Sequence, residues 1–206
     1  MPSGCMPGMA MPGCAAATPA APTGVQVALL FVIGLAAWVL FAFLWRTLRR
    51  SQINGYSWIS DWLGHGLHAP GMILMALLMG GWVPTIGPLP LYQAIYGGLA
   101  LFFLLRAILV PGHRRASVWH VLIHVSMVYM FAMADLTVAT GLLLALYALF
   151  VLDYGWQSVR RLESGVTVRG NRRSLYLLGT TGHLGIAFSM GLMLLLMQWP
   201  ALFGAV

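Results

Sequence analysis

Histidine and methionine recur with one spacing at three places in the 206-residue sequence. The shared pattern is His-x6-Met-x2-Met, and its copies lie in segments that begin at Gly64, Trp119 and Gly182. On an α-helix, which turns about 100° per residue, this spacing places the methionines on the same side as the histidine. The predicted stripes are His65, Met72, Met75 and Met79; His120, Met127, Met130 and Met133; and His183, Met190, Met193 and Met197.

These residue types favour a soft metal ion. Thioether sulfur is an uncharged, soft ligand that suits Cu(I), and imidazole also binds copper. Seven residues of helix rise about 10 Å, so three parallel stripes would stack methionine levels on a histidine level. Without a counter-ion, a Cu(I) ion bound in this way would exchange readily. This favours passage of the ion along the stripes over its storage. The N-terminal segment adds soft ligands at Cys5, Met6, Met9, Met11 and Cys14.

The distribution of methionine supports a ligand role. Of the 13 methionines, nine lie in the repeated segments, four lie near the N-terminus, and the intervening apolar segments have none. Packing is the alternative, because methionine also fills irregular gaps in cores. The repeated histidines could likewise serve only in interhelical hydrogen bonds, although intramembrane polar groups are functional candidates by default. His68 and His124, one turn from two of these histidines, are further candidate ligands.

Composition identifies the elements that must position these side chains. Charged residues make up 7% of the chain and hydrophobic residues 60%, whereas soluble domains are about 25% charged. Helices are expected, because a backbone in lipid must satisfy its own hydrogen bonds. The apolar runs, each near the ~20 residues needed to cross a bilayer, cover roughly 24–45, 58–82, 88–110, 117–135, 136–156 and 175–203. The sequence therefore predicts an all-α integral membrane protein with six transmembrane helices.

Arginine positions predict the topology. All 11 basic residues are arginines, clustered after the first, third and fifth runs. The positive-inside rule then places both termini outside the cytoplasm and gives the three stripe-bearing helices one direction. Each odd-numbered run closes with Arg-Arg, so the six helices are predicted to form three tandem helix-pair repeats. The net charge of +7 thus reports topology, not a nucleic-acid partner.

The N-terminal segment is expected to be a separate unit. Residues 1–23 contain no charged side chain and lack the basic start and unbroken apolar core of a cleavable signal peptide. We therefore expect a flexible, Met- and Cys-rich extracytoplasmic tail ahead of a transmembrane domain at residues 24–206. Cys5 and Cys14 are the only cysteines, and one disulfide between them is possible in an oxidising compartment.

Two resemblances add to these inferences. The segments HAPGMILMALLMGGWVPTIGP and WHVLIHVSMVYMFAMA resemble an actinobacterial integral-membrane family described only as a domain of unknown function, over about residues 25 to 203. The tail motifs MPGM and AMPGC resemble the extracellular methionine motifs of Ctr-type copper importers. Met75-x3-Met79 and Met193-x3-Met197 match the Met-x3-Met filter of those importers, which have three helices per chain. The second resemblance implies shared ligand chemistry.

The sequence predicts a copper-binding protein of the bacterial inner membrane, concerned with uptake, transfer or delivery of Cu(I) and not an enzyme. An extracytoplasmic copper chaperone or a larger membrane complex is the expected partner. One alternative is a membrane electron-transfer protein with haem b bound between His65 or His68 and His120 or His124. Another is an accessory subunit of a respiratory or monooxygenase complex. No Walker-type phosphate loop or His-Glu-x-x-His helix occurs in the sequence.

Overall fold

In a computed structural model, the regular elements of the described residues are all helical. The structure describes residues 23–49, 62–83, 87–132, 137–163 and 171–198. Within these ranges there are six α-helices: α1 Thr23–Leu48, α2 His68–Met79, α3 Leu89–Leu109, α4 Arg114–Phe131, α5 Thr137–Glu163 and α6 Asn171–Met197. The predicted all-α fold is confirmed for this part of the chain.

Five helical segments of the described residues are long and apolar enough to cross a membrane. These segments are Thr23–Leu48, Trp62–Met79, Leu89–Leu109, Val138–Gln157 and Leu177–Met197. The helix α4 is the exception, because it begins with Arg114 and Arg115 and contains two histidines, which lower its apolar character. The five segments indicate a multi-pass protein of a lipid bilayer.

The second apolar run is not one regular helix. Trp62–Gly66 forms a π-helical turn, in which the Leu67 amide donates to the carbonyl five residues earlier at 3.1 Å. Pro70, in the first turn of α2, has no N–H to continue the α-helical ladder. The break therefore lies where the proline removes a backbone donor, with His65 in the π-helical turn and His68 at the start of α2.

The helices α2, α4 and α6 form the centre of the bundle. They contact one another pairwise, while α1 packs against α2 and α6, α3 against α4, and α5 against α6. Side chains from all six helices contribute to one continuous core. Large apolar side chains such as Phe31, Leu105 and Leu152 are exposed on the outer helices. An apolar exterior around a packed centre is what a lipid environment requires.

A polar cluster joins α4 to α5 near the arginine-bearing end of the bundle. Arg115 Nε donates to Asp153 Oδ2 at 2.9 Å, and the same carboxylate accepts hydrogen bonds from Trp119 Nε1 and Gln157 Nε2, each at 3.1 Å. Asp153 is mostly buried, whereas Arg115 is largely exposed. The carboxylate is thus neutralised and hydrogen-bonded at the edge of the apolar core.

Candidate histidine and methionine site

The three repeated histidines meet at one level of the bundle. His65 lies in the π-helical turn, His120 on α4 and His183 on α6. The ring centroids of His65 and His120 are 4.5 Å apart, and those of His65 and His183 are 4.6 Å apart. Because α2, α4 and α6 pack around a common centre, residues more than 50 positions apart in sequence come into ring contact.

His65 and His183 form a directly hydrogen-bonded dyad. Their Nε2 atoms are 3.1 Å apart, and His183 Nδ1 lies 2.6 Å from the carbonyl oxygen of Gly179. A carbonyl can only accept, so Nδ1 of a neutral His183 carries the proton and its Nε2 is a lone pair. His65 Nε2–H then donates to that lone pair. His65 Nδ1 is consequently a second lone pair, and it is buried with no hydrogen-bond partner among the described residues.

Each repeated histidine rests on an aromatic ring from an odd-numbered helix. The contacts are Phe43 with His65 at 4.1 Å, Phe103 with His120 at 4.5 Å, and Tyr154 with His183 at 4.4 Å between ring centroids. Sequence analysis missed these three aromatic residues, which we call the aromatic collar. No signal in the sequence singles them out, because aromatic residues are frequent on the odd-numbered helices.

A glycine makes room for the central histidine. A Cβ atom on Gly64 would overlap the imidazole of His120 at Cδ2 and Nε2. The ring therefore lies directly on the backbone of the π-helical turn. Any side chain at position 64 would overlap the present position of the His120 ring, so Gly64 is part of the geometry that allows this ring to lie beside the turn.

The two additional histidines are buried beside this level. His68 is 1% exposed and His124 is not exposed. Neither ring nitrogen of His68 has a hydrogen-bond partner among the described residues. The ring of His124 stacks on Phe103 at 5.5 Å and on Tyr96 at 5.9 Å between centroids. Buried imidazole nitrogens without protein partners are costly in an apolar interior, which makes them candidate ligands for an ion.

Tyr96 connects the histidine level to the methionine levels. Its hydroxyl donates to the Leu67 carbonyl at 3.0 Å, at the junction between the π-helical turn and α2. The hydroxyl occupies the space beside Gly71, where the methyl group of Met127 also lies. A tyrosine from α3 therefore supports the broken helix that carries His65 and His68.

The methionine stripes point into one core. The fully buried members are Met72, Met75, Met127, Met130, Met190 and Met193. Met79 and Met197, at the far ends of α2 and α6, are partly exposed and pack against the same core. The six fully buried methionines therefore lie in the interior of the bundle.

Six predicted candidates lie outside the described residues. They are Met133 and the tail residues Cys5, Met6, Met9, Met11 and Cys14. The predicted disulfide between Cys5 and Cys14 falls in the same part of the chain. Their roles stay predictions from sequence.

An arginine lies at the histidine end of the site. Arg46 Nη1 donates to the Leu175 carbonyl at 3.3 Å, and its guanidinium carbon lies 5.8 Å from the centre of the Phe43 ring. A Cβ on Gly179 would overlap this guanidinium. Gly179 is the residue whose carbonyl orients His183, so the arginine packs directly beside the histidine dyad.

The distances between the histidine rings bear on how an ion or a haem could be held. Among the described residues, no group of three His, Cys, Asp or Glu side chains is arranged to hold a metal ion. The dyad nitrogens are 3.1 Å apart, so one ion could bind both once the His65 proton has moved from Nε2 to Nδ1. Axial haem ligation needs the macrocycle between the two rings, whereas His65 and His120 are in direct ring contact.

Comparison with known proteins identifies a family. Residues 59–197 match the family described as Domain of unknown function (DUF5134). The chain belongs to this family. The match confirms the predicted resemblance to a family without assigned function and covers every helical histidine and methionine candidate, while α1 lies outside it. No curated protein and no solved structure shows significant similarity.

Proposed function

We propose that the protein binds Cu(I) within the bilayer, on a His/Met ladder formed by α2, α4 and α6, for uptake, transfer or delivery of copper. The ion is the cargo of this site, and no enzymatic step is part of the proposal. In the same proposal, α4 spans the membrane with the other helices, and the chain has six spans arranged as three helix-pair repeats. Both termini face outward from the bacterial inner membrane.

One observation carries the proposal: six methionines from three different helices are fully buried in the same core. Their helices contact one another, and the histidines of the same stripes meet at a common level. Thioethers placed in this way offer an ion several soft ligands without any change of fold. Packing alone would not require every stripe to combine methionine with a histidine at one end.

The His65–His183 dyad gives a second reason to propose a Cu(I) site. His65 and His183 present nitrogen lone pairs in a buried, aromatic-walled site, and His65 Nδ1 has no protein partner among the described residues. A soft cation with one positive charge can be held there without a carboxylate. The likeness of the tail to the methionine motifs of Ctr-type importers points to the same ligand chemistry. Delivery from an extracytoplasmic chaperone or to a larger membrane complex is part of the proposal.

Metal analysis of purified protein tests the proposal. The full chain, wild type and a variant with Met75→Leu, Met130→Leu and Met193→Leu, is loaded with Cu(I) under a reductant in detergent, and bound copper per chain is measured. Leucine keeps the apolar volume and removes the sulfur, a swap that usually costs less than about 1.5 kcal/mol per site. We expect the triple variant to bind less than half as much copper as the wild type.

A matched control separates ligand loss from altered packing. Ile123→Leu with Ile186→Leu changes two fully buried residues of the same core without removing sulfur, and it should keep wild-type copper binding. Equal copper in the triple variant and in the wild type would refute the ladder. A Soret band in the purified protein would instead favour the haem alternative.

A further inference from the structure

Phe43 covers the histidine dyad from the arginine-bearing end of α1. Its ring stacks on His65 at 4.1 Å and meets His183 edge-on at 5.3 Å between centroids, and the side chain is 2% exposed. The two rings of the dyad therefore share one aromatic neighbour. An ion bound between the dyad nitrogens would have this apolar ring beside it, with no oxygen, nitrogen or sulfur ligand on the Phe43 side chain.

Arg46, one helical turn after Phe43, adds a positive charge to this end of the site. Its guanidinium fills the space beside Gly179, whose carbonyl orients His183, and donates to the Leu175 carbonyl at 3.3 Å. A guanidinium is a donor-only cation, so it offers no ligand to a metal ion and repels one that approaches. Arginine side chains exclude cations from membrane pores in the same way.

The methionine end of the ladder presents soft ligands that are partly exposed. Met79 and Met197 are partly exposed there, and they present soft ligands at the ends of α2 and α6. Trp82, which follows α2, is also exposed. An ion therefore meets thioether ligands at one end of the site, and an apolar ring backed by a cation at the other.

We propose that the His/Met ladder is a dead end: the ion enters and leaves at the methionine end and stops at the histidine dyad, where Phe43 and Arg46 close the path. This inference rests on the proposed function, and it changes what the protein does with its cargo. A closed ladder binds copper from one side of the membrane and releases it to the same side. A channel would instead let the ion pass Arg46.

Silver ion, a redox-stable substitute for Cu(I), tests the inference in two measurements. Bound Ag⁺ per chain is measured on the full-length protein in detergent. The same protein is then reconstituted into phosphatidylcholine vesicles that contain a silver-quenched dye, and the rate of Ag⁺ entry is compared with that of protein-free vesicles. We expect the wild type to bind Ag⁺ and to give an entry rate equal to that of the empty vesicles.

The variant Phe43→Ala with Arg46→Gln should open the path and raise the entry rate at least tenfold. Arg49→Gln is the matched control, because Arg49 lies at the same end of α1 but packs over Trp45 at 5.3 Å and away from the dyad. It should leave entry at the wild-type rate. Arg46→Gln alone, which keeps the aromatic ring, serves if the double variant does not fold, and it should raise entry by a smaller factor.

The outcomes separate the two proposals. Absence of Ag⁺ binding in detergent overturns the proposed function itself. Binding accompanied by wild-type entry faster than in empty vesicles overturns only the dead end. Opened variants that stay at the rate of Arg49→Gln show that Phe43 and Arg46 do not close the path, and they overturn the inference as well.

Discussion

The contact between Gly64 and His120 gives a prediction that does not depend on any metal. In Gly64→Ala, the new methyl group would occupy the position of the His120 imidazole, so the ring must move or the π-helical turn must shift. Overpacking a well-packed core costs about 1 to 3 kcal/mol. Because the methyl group would overlap two ring atoms, the cost should be about 2 to 3 kcal/mol; alanine recovers up to about 1 kcal/mol of helix propensity, which leaves a net loss of about 1 to 2 kcal/mol.

Thermal unfolding in detergent, followed by circular dichroism, measures this loss. For a chain of about this size, 1 kcal/mol shifts Tm by about 2 to 4 °C, so Gly64→Ala should lower Tm by about 2 to 8 °C. Gly34→Ala on α1 is the control, because a Cβ there has no neighbour within 4 Å. It should leave Tm unchanged or raise it slightly.

A double-mutant cycle identifies the cause. In a His120→Ala background the ring is gone, so Gly64→Ala should cost little or nothing, and the coupling energy between the two sites should be about 1 to 2 kcal/mol. Equal effects of Gly64→Ala and Gly34→Ala would refute the reasoning. So would a penalty for Gly64→Ala that persists after His120 has been removed.

Three other substitutions test the surrounding contacts by thermal unfolding. Tyr96→Phe removes the hydrogen bond to the Leu67 carbonyl and should cost about 1 kcal/mol; an unchanged Tm would contradict this role. Gly71→Ala places a methyl group against the same hydroxyl, so it should cost about 1 to 3 kcal/mol, and less when combined with Tyr96→Phe. Asp153→Asn breaks the pair with Arg115, whose side chain is 61% exposed, so the loss should stay below about 1 kcal/mol and shrink in high salt; a loss independent of salt would contradict it.

The helical architecture follows largely from the sequence. Long apolar runs in a weakly charged chain leave few alternatives to membrane helices, and the helix bounds of α1 and α3 lie within three residues of the predicted runs. The backbone of the run that contains Pro70 was harder to predict. A proline indicates an irregularity in a helix but not whether the helix kinks or contains a π-helical turn. The structure contains the π-helical turn Trp62–Gly66.

The composition of each stripe was also readable from the sequence, because residues seven and ten positions apart share one side of any helix. Periodicity assigns a side to each residue but does not say which helices face each other. The burial of Met75, Met130 and Met193 in a single core depends on the mutual packing of α2, α4 and α6. That packing depends on side-chain complementarity summed over the whole bundle.

The aromatic collar and the barrier at Arg46 were decided by tertiary structure alone. Phe43 is one of many aromatic residues on the odd-numbered helices, and its sequence neighbours give no reason to place it on His65. The 3.1 Å contact between His65 and His183 joins residues 118 positions apart. The sequence determined which side chains could bind an ion, since residue type and helical period are local properties. Their distances, tautomers and closure at one end are properties of contacts between helices, which form only when the chain packs.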